Sequence, residues 1–152
     1  MVADFERIPG PAFHELFDLV DHLIVSQHFA RLLTSEEDPR LAVRKIWNKS
    51  RQLVAVTCGS EGCWYLSKPD PETLNHQPAF PVETVDTTGC GDVFHGAYAA
   101  FLARGMSLPE CIRLASGAAA LKATQKGGQN GSPTLEALLR FMEERPAALT
   151  NQ

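Results

Sequence analysis

Val85-Asp86-Thr87-Thr88-Gly89-Cys90-Gly91-Asp92-Val93-Phe94-His95-Gly96-Ala97-Tyr98-Ala99 is the stretch on which the reading of this chain turns. An extended run ends, three small residues (Gly89, Cys90 and Gly91) turn the chain, and a helix starts at an acidic residue. Phe94, Ala97, Tyr98, Phe101 and Leu102 then recur at i, i+3, i+4, i+7 and i+8, the apolar stripe of an amphipathic helix. Such a turn exposes several backbone N–H groups at the positive end of a helix, an anion-binding arrangement. A carboxylate at the same place, here Asp92, stands beside the anion, poised to take a proton from an attacking hydroxyl. Phosphoryl transfer to an alcohol requires both groups. Glycines at a strand-to-helix turn are also common structural devices, so composition alone leaves the phosphate reading and the structural one evenly balanced.

Downstream, Gly105 ends the helix as a C′ glycine, and Ser107 with Glu110 forms a capping box for the next one. That helix turns Cys111, Ile112, Ala115 and Ala119 inward, and its small residues from Ala115 to Ala120 allow close approach by a neighbouring backbone. A glycine-rich loop, Gly127 to Gly131, precedes Ser132-Pro133 and a last helix carrying Leu135, Leu138, Leu139 and Met142. Residues 146–152 are expected to fray.

Upstream, Val2 to Phe5 alternates like a strand, and Pro9, Gly10 and Pro11 break the chain. Phe13, Leu16, Phe17 and Val20 follow at helical spacing. His22–Val25 and Leu53–Thr57 are short apolar runs of the kind that form strands covered on both faces. Between them lie a short helix from Gln27 to Leu33 and a second one, capped by Asp38-Pro39, with Val43, Ile46 and Trp47 on one side. Cys58 to Gly62 makes a tight glycine turn, and Cys63 to Ser67 reads as the antiparallel return strand. After a polar loop, Lys68 to Thr73, Leu74–Phe80 and Val82–Val85 are expected to be extended. This alternation of strands and helices argues an α/β fold with a mainly parallel sheet and helices on both faces.

With 152 residues, 44% hydrophobic and 21% charged, the chain has enough apolar surface for a core and is not disordered. A net charge of −4 and the lack of any Lys/Arg cluster argue against a nucleic-acid surface. The longest apolar run, Ala97 to Ala103, is far below the roughly 20 residues of a membrane span. Asp4 and Glu6 so close to Met1 speak against a secretory signal, so a cytoplasmic location is expected. Cys58, Cys63, Cys90 and Cys111 match no zinc knuckle and are expected to be reduced structural thiols. The five histidines are scattered, which sets aside a His/Cys metal cluster.

Three other glycine motifs fail on spacing. No Gly-Lys-Ser or Gly-Lys-Thr exists for a Walker A loop. Gly89, Gly91 and Gly96 give G-x-G-x-x-x-x-G rather than a dinucleotide fingerprint, against an NAD-dependent oxidoreductase. The G-x-S-x-G of a hydrolase elbow is absent. Asp86 to Asp92 with Gly96-Ala97 instead resembles the C-terminal signature of ribokinase-like (PfkB-type) carbohydrate kinases. Val54 to Gly62 upstream and the Ala-rich helix with Lys126-Gly127-Gly128 downstream stand in the family's order.

The resemblance implies a three-layer α/β/α sandwich and ATP-dependent transfer of the γ-phosphate to a small sugar. In it Asp92 is the base, and the N–H groups of Gly89, Cys90 and Gly91 form the anion hole. Cys90 stands where alanine is usual, and a small thiol is compatible because the backbone does the binding. Asp86 and the Thr88 carbonyl match positions that bind a monovalent cation, K+ in type, with Gly127 and Gly131 matching its remaining ligands. Asp86 reads equally as a cap of the turn. Thr57, Gly59 and Gly62 match the nucleotide-binding strand and turn, or form only a hairpin. Ser116 matches an adenine-side position, or is a small residue packed in a helix.

Two departures stand out. The N-x-x-E motif that helps many members hold Mg2+ falls here on Ser26 and Phe29, as in some ketohexokinase-like branches, which gives a mild preference for a ketose. The sugar-contacting residues and sheet lid of the family belong to its N-terminal half, so residues 1–145 correspond to the C-terminal, ATP-binding and catalytic part. The isolated chain is therefore expected to be weakly active or inactive. A non-catalytic nucleotide-binding or assembly module, self-associating or completed by another chain, is the competing reading.

Overall fold

The structure, a computed structural model, describes residues 1–8, 10, 12–68, 70–129 and 131–145. The breaks expected at Pro9 and Pro11, and the fraying expected of residues 146–152, lie outside the described residues. Two compact units are present, Met1–Ala79 and Phe80–Gln152.

In the first unit, β1 (Val2–Asp4), β2 (His22–Ser26), β3 (Leu53–Thr57), β4 (Cys63–Ser67) and β5 (Asn75–Gln77) form one sheet in chain order. The β1–β2 and β2–β3 pairs are parallel, while β3–β4 and β4–β5 are antiparallel, so the sheet is mixed. Parallel neighbours need a crossover. Here α1 (Phe13–Asp18) lies between β1 and β2, and α2 (Gln27–Thr34) and α3 (Pro39–Ile46) lie between β2 and β3. Ser26 Oγ accepts from Phe29 N at 3.2 Å to cap α2, and Asp38 Oδ1 accepts from Arg40 N at 2.9 Å to cap α3. One sheet face, with Leu23, Val25, Val54, Val56 and Leu66, packs against Phe13, Phe29, Ala42, Val43 and Ile46. The alternate positions Ile24, Leu53, Ala55 and Cys63 are equally buried. Burial of both faces explains why β2 and β3 read as unbroken apolar runs rather than alternating ones. Arg51, unremarked in the sequence, is fully buried; its Nη1 donates to the Val20 carbonyl at 2.9 Å and its guanidinium lies over the Phe17 ring.

The second unit contains α4 (Cys90–Ala103), α5 (Leu108–Ala123) and α6 (Leu135–Glu143). Gly105, at φ +75°, terminates α4 as expected, and the Glu110 carboxylate accepts from the Ser107 N–H at 3.3 Å to open α5. On α5, Cys111, Ile112, Ala115 and Ala118 are buried, whereas Ala119 is only partly so. The close approach anticipated along this helix is made at Gly117, where an added Cβ would lie 2.5 Å from Met142 Sδ and 3.1 Å from Leu138 Cδ1. On α6, Leu138, Phe141 and Met142 are buried while Leu135 and Leu139 face solvent.

Val82–Val85 forms no strand, contrary to expectation. The reason is a competing acceptor: the N–H groups of both Val85 and Asp86 donate to the Ala123 carbonyl, at 2.8 and 3.1 Å. The segment is tied to the end of α5 instead of to a ladder. Likewise only Asn75–Gln77 of the extended run Leu74–Phe80 is paired.

Candidate functional site

Gly89 occupies the N-cap of α4 at φ +79°, a left-handed conformation that side chains other than glycine's adopt only at a cost. A Cβ there would also come within 2.8 Å of the Gly128 carbonyl oxygen. Glycine is thus required twice, by backbone angle and by the closeness of the 127–131 loop. Cys90 N–H donates to the Thr87 carbonyl at 3.1 Å, closing the turn. The amides of Gly89, Gly91 and Asp92 have no hydrogen-bond acceptor among the described residues, because the first N–H groups of a helix lack an intrahelical partner. The amides open to an anion are therefore those of Gly89, Gly91 and Asp92, and Cys90 contributes through the turn that presents them.

Asp92 lies in the first turn of α4 with its side chain exposed. It opens on a cleft of about 690 Å³ built entirely within the second unit, whose walls include Thr88, Gly89, Gly96, Arg104, Ala118 and Gln129. Small residues at Gly96, Ala97, Ala100 and Ala118 leave this space between α4 and α5. A free carboxylate, free helix-terminal amides and a cleft thus meet at one point. His95 Nδ1 is 2.8 Å from the Gly91 carbonyl, bracing the first turn from the far side.

Asp86 holds the turn from below. Its Oδ1 accepts from Thr88 N at 2.9 Å and its Oδ2 from Gly127 N at 2.8 Å, linking the two loops. The Thr88 and Gly127 amides, with Lys122 adding a positive charge, hold this carboxyl down at about 2. The loop therefore carries a permanent anion where the sequence allowed either a cap or a cation ligand.

Lys122 was not singled out in the sequence. It is fully buried, and its Nζ donates to the Asp86 carbonyl at 2.9 Å and the Gln125 carbonyl at 3.1 Å. A Cβ on Gly131 would meet Gln125 Cβ at 3.0 Å and Lys122 Cδ at 3.1 Å, so Gly131 leaves room for the lysine stem. A signal existed: Lys122 follows Ala115 by seven and Ala118 by four, which puts a charged residue on the inward stripe of α5.

This arrangement does not suit a monovalent cation held by Asp86, Thr88, Gly127 and Gly131. Both Asp86 carboxylate oxygens accept amide protons, Gly127 turns a donor toward them, and an ammonium already sits on the Asp86 carbonyl. For magnesium, no group of three His, Cys, Asp or Glu side chains that could hold a metal occurs among the described residues. Ser26 is committed to capping α2, and Phe29 to the core.

The remaining site residues lie elsewhere. Thr57 ends β3, with its Oγ1 donating to the Val25 carbonyl at 3.4 Å. Gly59 (φ +57°) opens and Gly62 (φ +92°) follows a single 3-10 turn, Gly59–Glu61, that joins β3 to β4. A Cβ on Gly62 would overlap the Gln77 carbonyl oxygen and lie 2.8 Å from Ala79 N. Ser116 Oγ donates to the Ile112 carbonyl at 2.9 Å within α5, and the α5 residue on the cleft wall is Ala118. All four cysteines are free, and burial raises each thiol, that of Cys58 up to about 11. A thiolate nucleophile at Cys90 is thereby disfavoured. No helix among the described residues is long and apolar enough to cross a membrane.

Known proteins resemble this chain in sequence and fold. A ribokinase of Lactococcus lactis is 37% identical over 139 residues, covering 90% of this chain and 44% of its own length. The solved structure of Arabidopsis thaliana ribokinase with ribose and ATP superposes with a TM-score of 0.81 at 30% identity, over 93% of this chain and 47% of that one. A double-mutant fructokinase of Vibrio cholerae, solved with fructose, ADP and potassium ion bound, gives a TM-score of 0.75 at 25% identity, over 85% of this chain and 43% of that one. The chain spans less than half the length of these relatives. The fold is ribokinase-like α/β, as the signature implied. The pfkB carbohydrate kinase family matches residues 6–135, from just after β1 to the first residue of α6, and it is to this family that the chain belongs.

Proposed function

We propose that this chain supplies the phosphate-binding turn and the general base of an ATP-dependent sugar kinase. The observation that carries the reading is the pairing of the free Gly89 and Asp92 amides with the exposed Asp92 carboxylate at one cleft, with the free Gly91 amide between them in the chain. The amides bind the γ-phosphoryl oxygens and stabilise charge as it builds in the transition state. Asp92 takes the proton of the sugar hydroxyl as its oxygen bonds to the γ-phosphorus. The bond to the bridging oxygen breaks, ADP leaves, and the proton remains on the carboxylate. Magnesium, carried on the nucleotide phosphates, would neutralise part of their charge.

By family likeness, Thr57, Gly59, Gly62 and Ser116 line the nucleotide. The acceptor is a small sugar; relatives named ribokinase and fructokinase leave an aldopentose and a ketohexose as the two candidates. By the same likeness, the sugar-contacting part belongs to the N-terminal half of the family, and these 152 residues span less than half of the relatives' length. The chain alone is therefore expected to bind ATP yet turn over poorly, because sugar orientation and water exclusion are incomplete. The part of the fold that carries the sugar-contacting residues, on the same polypeptide or another, would complete the site, in the cytoplasm where ATP is plentiful.

The test is ADP release with ribose, fructose and related sugars, with and without a polypeptide supplying the N-terminal half of a ribokinase. Turnover should need that half and fall by about 10²- to 10⁴-fold in Asp92→Asn, with ATP affinity kept. Absence of ATP binding by the chain, or full turnover by Asp92→Asn, would refute the reading.

A further inference from the structure

The 127–131 loop and the Asp86–Asp92 turn meet over a single buried cation that belongs to the protein. Lys122, fully buried, reaches from the last turn of α5 to two main-chain oxygens, that of Asp86 at the start of the turn and that of Gln125 just beyond the end of α5, ahead of the 127–131 loop. Main-chain carbonyls gathered around a point are what a potassium ion needs in place of its hydration shell. An ammonium is likewise a compact charge with donors that can point at several oxygens. The space it needs is kept free by Gly131, where a side chain would press on the Lys122 stem. The carboxylate of Asp86 is left to the Thr88 and Gly127 amides, so the carboxylate ties the turn to the 127–131 loop while the ammonium ties it to the end of α5.

We propose that the Lys122 ammonium is a built-in substitute for a monovalent cation, making the phosphate-binding turn of this chain independent of potassium. Lys122 is a positioning residue in this scheme: it touches neither phosphate nor sugar, and it acts by holding the Asp86 and Gln125 carbonyls so that the Gly89–Asp92 amides stay aimed outward. The inference rests on the reading of that turn as a phosphate site, but its decisive measurement does not need nucleotide.

The experiment compares thermal stability, and separately the dissociation constant for ATP, in potassium chloride and in choline chloride at equal ionic strength. The chain as it stands should melt within about 1 °C in the two salts and bind ATP within about two-fold, since a covalent charge cannot be exchanged for a dissolved one. Stabilisation by potassium but not by choline in the unsubstituted chain would overturn the proposal. Lys122→Ala removes the charge and opens the space. It should become potassium-responsive, melting several degrees higher in potassium than in choline and recovering ATP affinity of about ten-fold. A merely structural lysine would lose stability equally in both salts, and that outcome in a folded Lys122→Ala also overturns the proposal. Should Lys122→Ala fail to fold, the salt comparison on the unsubstituted chain still decides. Failure to bind ATP in any salt would sink the kinase reading while leaving the melting comparison intact.

Discussion

Gly59 and Gly62 in the first unit and Gly89 and Gly91 in the second all sit where an extended run gives way to a turn, and in the sequence the two pairs look interchangeable. Their amides are disposed of differently. In the first turn Cys58 N–H donates to the Gly62 carbonyl at 2.7 Å, Glu61 N–H to Cys58 at 3.1 Å and Gly62 N–H to Gly59 at 3.1 Å. That turn is closed on itself, and the 77–79 backbone crowds against Gly62. In the second, the Thr88 and Cys90 N–H groups are spent within the turn, and further support comes from outside it through Gly127, Lys122 and Gly128. Among the described residues the first turn leaves only the Gly59 and Ser60 amides without an acceptor, whereas the second leaves those of Gly89, Gly91 and Asp92 at the start of a long helix and beside a carboxylate. Glycine content therefore does not mark a phosphate site; unspent amides at the start of a long helix do.

The sharpest way to break this contrast is Gly62→Ala. The left-handed angle costs about 1–2 kcal/mol for alanine, and overlap with the Gln77 carbonyl adds about 1–3 kcal/mol, so a loss of about 2–5 kcal/mol is expected. Urea unfolding should show a much lower midpoint with an unchanged slope. A near-native midpoint would mean that the hairpin does not need its glycine, and the self-braced description would fail.

Gly89→Ala probes the other turn. The left-handed angle costs about 1–2 kcal/mol, and contact with Gly128 is relieved by pushing the 127–131 loop away. Stability should fall less than in Gly62→Ala, but ATP should bind about ten-fold more weakly because the free amides are re-aimed, an effect of about 1.4 kcal/mol. Isothermal titration measures it; unchanged affinity would detach the turn from the phosphate.

This asymmetry also governs how far the molecule could be read from its sequence. The first unit follows local rules: apolar runs at His22–Val25 and Leu53–Thr57, a cap at Asp38, a hairpin across Cys58–Gly62. Each depends on residues within a few positions, so periodicity and capping reveal them. In the second unit the helices were equally legible, and the Asp86–Asp92 signature pointed to the turn. What holds that turn was not legible. Asp86 to Gly127 spans 41 positions and Lys122 to Asp86 spans 36, and nothing local in either segment specifies the partner. Val82–Val85, expected to be extended, stays out of the sheet for the same reason, the Val85 and Asp86 amides going to Ala123 in a distant helix end. Cys90 was expected to offer its amide to phosphate, and only the geometry shows that Thr87 takes it.

A gentler probe of the bracing is pH. Asp86 is held at about 2, below the ordinary carboxyl value of 3.8, chiefly by the Thr88 N–H and then by Gly127. A group with a depressed folded pKa stabilises the fold above its unfolded value and loses that contribution as pH falls through the folded one. The stability advantage of the unsubstituted chain over Asp86→Asn should accordingly stay level above about pH 5 and shrink between about pH 4 and pH 2. Melting temperatures of the two proteins across that range check it. A constant difference down to the lowest pH would show that the carboxylate charge does not brace the loop.

The smallest expected effect is the most discriminating for the nucleotide. Gly59 is left-handed at φ +57°, yet nothing lies within 4 Å of where its Cβ would be. Gly59→Ala therefore pays only for the angle, about 1 kcal/mol of stability, and leaves the hairpin standing. A turn that serves only to join β3 to β4 would show that loss and no more. If ATP runs past this backbone, as the likeness to ribokinases implies, the methyl group occupies space the ligand needs, and affinity should fall about five-fold at temperatures where both proteins are fully folded. Binding measured in parallel with melting separates the two effects. Full affinity in a slightly less stable Gly59→Ala would assign the first turn to the fold alone and leave phosphate recognition to the second.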